Sequence, residues 1–379
     1  MTSSNIQNNS EKRVLIMAGG TGGHIFPGLA VAKELQKRDW NVFWLGSHKG
    51  MEEEILAKTN ISLSLIHVAG LRGNGLLGWL KAPFLISKSV MSTIVIIKKI
   101  KPHLVIGFGG FVSGPGGLAA YLLGIKLFIH EQNAIVGMTN RYLSKLANKV
   151  FLGFPNAFGD KNVKSDKKIS VVGNPIRDEI KSIIRIEKKL TENLNLLVIG
   201  GSRGARALNL KLPKILNSIT AKRLKVIHQS GKGNLESTIK EYQKISCDVE
   251  VFEFIENIAE SLAWADVVIC RSGASSVAEI AAVGLTAIFV PFPFAVDDHQ
   301  YFNALWLSDN NAGVIIRDND LGSMESKKII SDLLSSKNEI ISMGIRAKKI
   351  AYLNAAEDIA DECDSLIKKT FEKESLKVA

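Results

Sequence analysis

The stretch "RVLIMAGGTGGHIFPGLAVAKEL", residues 13–35, decides how the rest of the chain is read. An apolar run at 14–18 enters a turn holding Gly19, Gly20, Gly22 and Gly23. His24 and Pro27 then open a segment whose apolar residues follow helical spacing. A strand that turns on glycine into a helix brings unpaired backbone N–H groups and the positive end of the helix dipole to one point, which suits a phosphate. The unit predicts a parallel α/β sheet with an anion at its strand ends.

The same unit recurs along the chain. Apolar runs at 42–45, 104–106, 126–129, 196–199, 226–228, 267–270 and 287–290 each end in a turn signal followed by helical periodicity. That alternation is expected of parallel strands flanked by helices. It also restarts: "VLIMAGGTGGH" at Val14 and "LLVIGGSRGAR" at Leu196 are both strand, glycine turn and helix. Between them, 155–171 is polar, contains "GDKNVKSDKK" and reads as the approach to a linker. The expected fold is α/β, two Rossmann-like doubly wound domains facing a central cleft. The expected boundaries are a loose tail at 1–12, a first domain at 13–174, a second at 175–350 and a helical segment at 351–379 that can pack back on the first domain.

Composition narrows the function. The 379 residues, 46% hydrophobic and 22% charged, supply enough apolar material for two cores. A net charge of +11 favours anionic partners. The basic residues fall in short clusters such as Lys98, Lys99 and Lys101, and no finger, RNP or homeodomain pattern occurs, so nucleic acid is not expected. Cys247, Cys270 and Cys363 are far apart and form no C-x-x-C, which predicts neither a disulfide framework nor a metal site. Residues 1–13 lack an apolar signal-peptide core, and the run at 111–125 is too short and too broken by Gly and Pro to span a bilayer. A soluble or peripheral protein of a reducing compartment is expected.

The first glycine turn fits neither common nucleotide fingerprint. Counted from Gly20, a G-x-G-x-x-G would need glycine at Ile25, and the second apolar run ends in Gly46-Ser47 where a ribose-binding acid belongs. No G-K-[ST] follows either, so it is not a Walker loop. Three further loops share its character: "GFGGFVSGPGG" at 107–117, "GGSRGA" at 200–205 and "CRSGASSVAE" at 270–279. In the last, N–H groups of Ala274, Ser275 and Ser276 would face an anion and Glu279 would meet ribose hydroxyls; Ser276-x-x-Glu279 also reads as a capping box. Four such loops at strand ends point to a phosphate-bearing ligand.

In order along the chain, "GGTGGHIFPGLAVA", "GLRG", "GGFVSGPGGLAA", "HEQN", "VVGNPIR", "GGSRGAR", "HQSGKG", "ADVVICRSGASSVAEIAAVGL" and "DDHQYFNA" make up a recognisable set. The chain resembles the MurG family of glycosyltransferases over nearly its whole length. The resemblance implies the GT-B fold and inverting transfer of N-acetylglucosamine from UDP-GlcNAc to the C4 hydroxyl of MurNAc in undecaprenyl-pyrophosphoryl-MurNAc-pentapeptide, lipid I to lipid II. It implies that Ser202 and its loop meet the diphosphate, Ile255 meets uracil by its backbone, and Arg177 lies at the domain junction near the nucleotide. Ala274, Ser275, Ser276, Val277, Ala278 and Glu279 would hold phosphate and ribose, and Gln300 the sugar hydroxyls. Thr21, Gly22, Gly23 and Asn133 would approach the donor from the amino-terminal side. Gly109, Gly110, Phe111, Ser113, His130, Glu131 and Asn140 would line the acceptor side. Phe111 stands where relatives often carry tyrosine, and His299 precedes Gln300 where others have a second glutamine. Another GT-B transferase and a non-hydrolysing UDP-GlcNAc epimerase remain the alternatives.

An inverting displacement needs a base for the acceptor hydroxyl and fixed dipoles for the departing UDP. His24 is the candidate base, because an imidazole with a pKa of about 6.5, lowered further by a helix start, is neutral at pH 7. His130 and Glu131 read as a hydrogen-bonded pair that shapes the cleft. No D-x-D metal-binding motif appears between strands, so no protein-held metal and no covalently bound cofactor are expected; a Mg²⁺ ion could accompany the diphosphate. A lipid-linked acceptor also requires the cytoplasmic face of the plasma membrane. Trp79, Leu80, Phe84 and Leu85 beside Lys81 and Lys88 suit shallow insertion into an anionic leaflet.

Overall fold

A computed structural model describes residues 11–48, 50–68, 75–159, 166–183, 193–219, 224–244 and 248–378, with the backbone only at 75–82, 370, 371 and 373–378. Its first sheet contains β1 (Arg13–Met17), β2 (Asn41–Ser47), β3 (Ser62–Ile66), β4 (Leu104–Gly107), β5 (Lys126–Glu131), β6 (Lys149–Leu152) and β7 (Ile169–Val171). The second contains β8 (Leu194–Ile199), β9 (Leu224–Gln229), β10 (Asp248–Phe252), β11 (Val267–Cys270), β12 (Thr286–Phe289) and β13 (Val314–Ile315). The orders are β3-β2-β1-β4-β5-β6-β7 and β10-β9-β8-β11-β12-β13. Every pairing is parallel.

Parallel strands need covering on both faces, and the apolar runs provide it. In β1, Val14 and Ile16 pack on one face with Trp44, Phe108 and Phe151. Leu15 and Met17 pack on the other with Leu45, Val105 and Ile129. β8 divides likewise, with Leu196 and Val198 in one cluster and Leu197 in another. Each such side chain taken out of water stabilises the fold by roughly 1.5–3 kcal/mol.

The strand order reverses twice, between β1 and β4 and between β8 and β11. At such a point the loops leave neighbouring strands in opposite directions and open a crevice beyond their carboxyl ends. The loops after β1, β4, β8 and β11 are the four glycine loops of the sequence. The last helix, Ala355–Val378, crosses back onto the first domain. There Ala355, Ile359, Ala360, Cys363 and Ile367 join the core around β1. Asp364 accepts the Trp40 indole N–H at 2.9 Å, and Lys149 pairs with Glu362 at 2.9 Å.

The linker expectation for 155–171 needs correction at its end. β7 pairs with β6 through Ile169, Ser170 and Val171, so these residues belong to the first sheet; 160–165 lie outside the described residues. The strand readings also omitted β3, β6, β7, β10 and β13. β7 and β13 are edge strands of three and two residues. β3 (SLSLI) and β10 (DVEVF) are edges too, with polar residues interleaved, so no continuous apolar run marks them.

Candidate active site

The amino-terminal wall of the cleft is braced from beneath. Glu52, fully buried, accepts the Gly20 N–H at 3.1 Å, the Ser47 N–H at 3.1 Å and the Ser47 hydroxyl at 3.0 Å. The loops after β1 and β4 then meet. Gly110 has φ +76, and a Cβ there would stand 2.2 Å from the Gly19 carbonyl oxygen, so only glycine lets the two backbones approach this closely. Ser113 is buried below them, its hydroxyl accepting the Gly109 N–H at 3.0 Å and lying 3.1 Å from the Met17 carbonyl.

His24 sits on this platform in the first turn of the helix Gly22–Lys37, half-buried and packed over Gly109. Its Nδ1 lies 3.3 Å from the Thr21 hydroxyl. Loss of water around the ring lowers its pKa to about 4; the His299 ring across the cleft lowers it further, while the Gly19 backbone and the charge of Glu52 pull it up. The imidazole is neutral at pH 7 and free to accept a proton. Glu52 and Gly19 both favour the imidazolium that would result.

The "HEQN" pair is not a pair. His130 and Glu131 are successive residues of β5, so their side chains leave opposite faces of the sheet. His130 is buried against Phe108, its Nε2 2.9 Å from the Gly173 carbonyl and its Nδ1 without a partner. Burial lowers its pKa to about 4, against the opposing pull of Gly173. Glu131 accepts four hydrogen bonds, from the Asn133 N–H (3.0 Å), Asn133 Nδ2 (3.2 Å), the Gly137 N–H (3.0 Å) and Asn140 Nδ2 (2.9 Å). Burial pushes its carboxyl up and those donors pull it back. Ser113, His130, Glu131 and Asn140 are therefore turned inward and shape the amino-terminal wall from behind. Phe111, 60% exposed, is the side chain of that group that faces solvent.

The carboxyl-terminal wall begins with a glycine loop of the same kind. Gly201 has φ +84 with open space where a Cβ would lie, and Ser202 is exposed beside it. The loop's far side interlocks with "HQSGKG": Gly204, φ +74, would put a Cβ 2.1 Å from the Ser230 carbonyl oxygen. Beneath lies a buried chain in which Tyr242 Oη meets His228 Nδ1 at 2.9 Å and His228 Nε2 meets Asn209 Oδ1 at 3.1 Å. Asn209 Nδ2 then donates to the Ser230 carbonyl at 2.9 Å.

The helix Ala274–Val283 opens on Gly273, which caps it with no side-chain bond. The capping-box reading of Ser276 and Glu279 thus fails, because Ser276 is already inside the first turn. The hydroxyls of Ser272 and Ser275 are buried without partners beside that open helix end. Orphaned hydroxyls next to unpaired N–H groups are what an anion would satisfy. Val277 is turned into the core and its N–H bonds the Gly273 carbonyl at 3.0 Å, so its side chain and N–H are both engaged within the protein; Ala278 is half-buried on the following turn.

Glu279 is held at the domain junction by Arg177, Nε to Oε1 at 2.9 Å and Nη2 to Oε2 at 3.0 Å. The guanidinium also lies over the Phe26 ring of the first domain at 5.3 Å. Burial pushes the Glu279 carboxyl up, opposed by Arg177. The Ile255 N–H is engaged by Gln229 Oε1 at 3.1 Å, which leaves the Ile255 carbonyl as its free backbone group. Gln300, half-buried, accepts the Phe292 N–H at 3.0 Å and keeps its NH₂ group for another partner. Asn133 reaches the second domain through Asn303 at 3.2 Å.

Sequence reasoning gave no role to Glu52, Asn209, Gln229 or Asn303. Glu52 begins "EEE" in the short helix Glu52–Leu56, which reads as a solvated acidic first turn; only burial separates it from its neighbours. Among the described residues, no group of three or more His, Cys, Asp and Glu side chains is arranged to hold a metal ion. No described helix is long and apolar enough to cross a membrane. The side chains of Trp79, Leu80 and Lys81 lie outside the described residues. Phe84 (74% exposed) and Leu85 stand in solvent on the helix Gly75–Ile100, with Lys88 exposed beside them.

Two doubly wound parallel-sheet domains with a cleft at their switch points are the GT-B architecture of glycosyltransferases. Residues 14–152 match the glycosyltransferase family 28 N-terminal domain and 195–363 the glycosyltransferase family 28 C-terminal domain. The chain belongs to glycosyltransferase family 28. It is 44% identical over 368 residues to the UDP-N-acetylglucosamine–N-acetylmuramyl-(pentapeptide) pyrophosphoryl-undecaprenol N-acetylglucosamine transferase of Pseudoalteromonas atlantica, covering 94% of this chain and 96% of that protein. To the protein of the same name from Cellvibrio japonicus it is 46% identical over 355 residues, covering 92% and 97%. The crystal structure of Acinetobacter baumannii MurG superposes with a TM-score of 0.79 at 38% identity, covering 93% of this chain and 99% of that one.

Proposed function

We propose that this protein transfers N-acetylglucosamine from UDP-GlcNAc to the C4 hydroxyl of MurNAc in undecaprenyl-pyrophosphoryl-MurNAc-pentapeptide, with inversion. The observation that carries this reading is the 44% identity over 94% of the chain to a transferase named for that donor and acceptor. It meets a cleft with a neutral imidazole on one wall and unpaired anion donors on the other.

In the displacement, a ring nitrogen of His24 takes the acceptor hydroxyl proton as the new O–C1 bond forms. The C1–O bond to UDP breaks with its electron pair, and charge grows on the diphosphate. The N–H groups of Gly201, Ser202 and Arg203 and of Ala274, Ser275 and Ser276, with the hydroxyls of Ser202, Ser272 and Ser275, receive that charge. Glu279 holds the ribose hydroxyls, Ile255 meets uracil through its carbonyl, and Gln300 orients the sugar through its amide. A Mg²⁺ ion, where one is used, would ride on the diphosphate, held by phosphate oxygens and water.

The acceptor is anchored in a membrane, and the exposed face of the helix Gly75–Ile100 supports a docking role. Phe84 and Leu85 would enter the headgroup region, while Lys88, Lys98 and Lys99 would meet anionic lipid on the cytoplasmic side. This placement goes with roles in cell-wall growth, cell shape and division.

The test is incubation with UDP-GlcNAc and a short-chain lipid I analogue, followed by mass spectrometry. A product heavier by one N-acetylhexosamine, formed with one UDP, is the expected result. Acceptor-independent release of an epimerised sugar would instead identify an epimerase.

A further inference from the structure

Asn303 lies one turn beyond Gln300 in the helix His299–Ser308, fully buried. Its Oδ1 accepts the Ala134 N–H at 2.8 Å. Its Nδ2 donates to Asn133 Oδ1 at 3.2 Å and to the Ser272 carbonyl at 3.2 Å. Ala134 and Asn133 belong to the loop after β5 in the first domain. Ser272 belongs to the loop after β11, immediately before the open helix end of the second. One side chain thus ties the two walls together.

The direction of every bond in the chain is fixed. Asn133 gives its own Nδ2 to Glu131 Oε1 at 3.2 Å, so its Oδ1 is the atom left for Asn303. The Ser272 carbonyl can only accept, so Asn303 must present its NH₂ on that side and its oxygen to Ala134. The result is a relay from a buried carboxylate through two amides to a backbone carbonyl, and only an amide at 303 offers two donors and an acceptor in this arrangement.

We propose that Asn303 is a positioning residue: its amide relay sets the angle between the two domains, and so the distance from His24 to the donor loops. This deepens the transferase reading and rests on it. The other strong contact at the junction, Arg177 with Glu279, engages the carboxylate assigned to the donor ribose and must rearrange when donor binds. In the Asn303 relay the Ala134 N–H and the Ser272 carbonyl are backbone groups with no role assigned at the donor, so these two bonds can persist through turnover. Rocking the domains apart would break the two bonds that cross the junction, from the Ala134 N–H and to Asn133 Oδ1, while the bond to the Ser272 carbonyl anchors the Asn303 amide within the second domain.

The test uses the full chain with nitroxides at Lys58→Cys and Glu325→Cys, exposed positions on the two domains, in a Cys247→Ser background. Asn303→Ala removes the whole relay. Asn303→Asp keeps the shape and the bond to Ala134 but loses both donors, and carries the same test should Asn303→Ala not fold. Either variant should at least double the width of the interspin distance distribution. It should also lower kcat by about 10- to 100-fold, the scale of an ångström of misplacement, with UDP affinity within about twofold of the parent. A distribution as narrow as the parent's, or a kcat that falls only in step with UDP affinity, overturns the proposal. If the parent itself fails to transfer sugar while the variants still broaden the distribution, the functional reading fails and the domain-angle role stands.

Discussion

In the amino-terminal wall four loop N–H groups are met by buried side chains, Gly20 by Glu52, Gly109 by Ser113, and Asn133 and Gly137 by Glu131. In the carboxyl-terminal wall the hydroxyls of Ser272 and Ser275 are buried without partners beside the start of the helix Ala274–Val283. Both walls descend from the same strand–glycine–helix unit. Under the first, a buried carboxylate takes the Gly20 N–H and braces the mount of His24. Behind Gly273 two hydroxyls, of Ser272 and Ser275, are left without partners among the described residues. Similar sequence signatures therefore serve different chemistry, and what sits behind the loop decides which.

The largest effect should come from the braced wall. His24→Ala should lower kcat by about 10²–10⁴, the range for a lost general base, with UDP affinity nearly intact. For the intact enzyme, kcat/KM should fall on the acid side with an apparent pKa near the about 4 of His24, well below an ordinary histidine. A loss of UDP binding in His24→Ala would break the division between the walls.

Glu279→Ala probes the open wall and should weaken UDP-GlcNAc binding by roughly 1–3 kcal/mol, the scale of a charged hydrogen bond, as calorimetry can measure. A variant that binds normally but melts earlier would make Glu279 only a junction residue for Arg177.

Acid stability should sharpen the comparison, because each wall conceals a neutral imidazole. His130 has a pKa lowered to about 4 and His228 to about 3, both chiefly by burial. The unfolded chain, with ordinary histidines near 6.5, binds more protons than the native state in this window, so stability is complete above about pH 6.5 and declines as pH falls toward 4. Glu131 and Glu279, whose carboxyls are raised, act in the opposite sense and soften the decline. A Tm that drops steadily from pH 6.5 to 4 is expected; a Tm flat to pH 5 would mean that these rings are solvated.

The smallest effect concerns the outer face of the first domain. Lys88, Lys98 and Lys99 are exposed on one helix, and each should contribute about 1 kcal/mol to binding anionic lipid. Replacing them by Ser should cut co-sedimentation with phosphatidylglycerol vesicles while sparing turnover of a water-soluble acceptor. Unchanged pelleting would move the docking face elsewhere.

Much of this was legible in the chain. The apolar runs of β1, β4, β8 and β11 and the glycine turns behind them place the crevice, because a strand buried on both faces must be apolar throughout. Edge strands such as β3 and β10 escaped, since one side of an edge meets water and tolerates Ser, Asp and Glu. His24 was readable from its place at a helix entrance. Glu52 and Asn303 were not, because their roles come from burial against residues distant in sequence: Gly20 for one, Asn133 and Ser272 for the other. The His130–Glu131 pairing was misread for a simpler reason, that adjacent residues of a strand face opposite ways.

The division of labour between the walls is tested most directly by amide hydrogen exchange with and without UDP. Protection should rise in Gly200–Ala205 and in the first turn of Ala274–Val283, and stay unchanged across Gly19–His24 and Gly107–Ser113. New protection confined to the amino-terminal loops would contradict it.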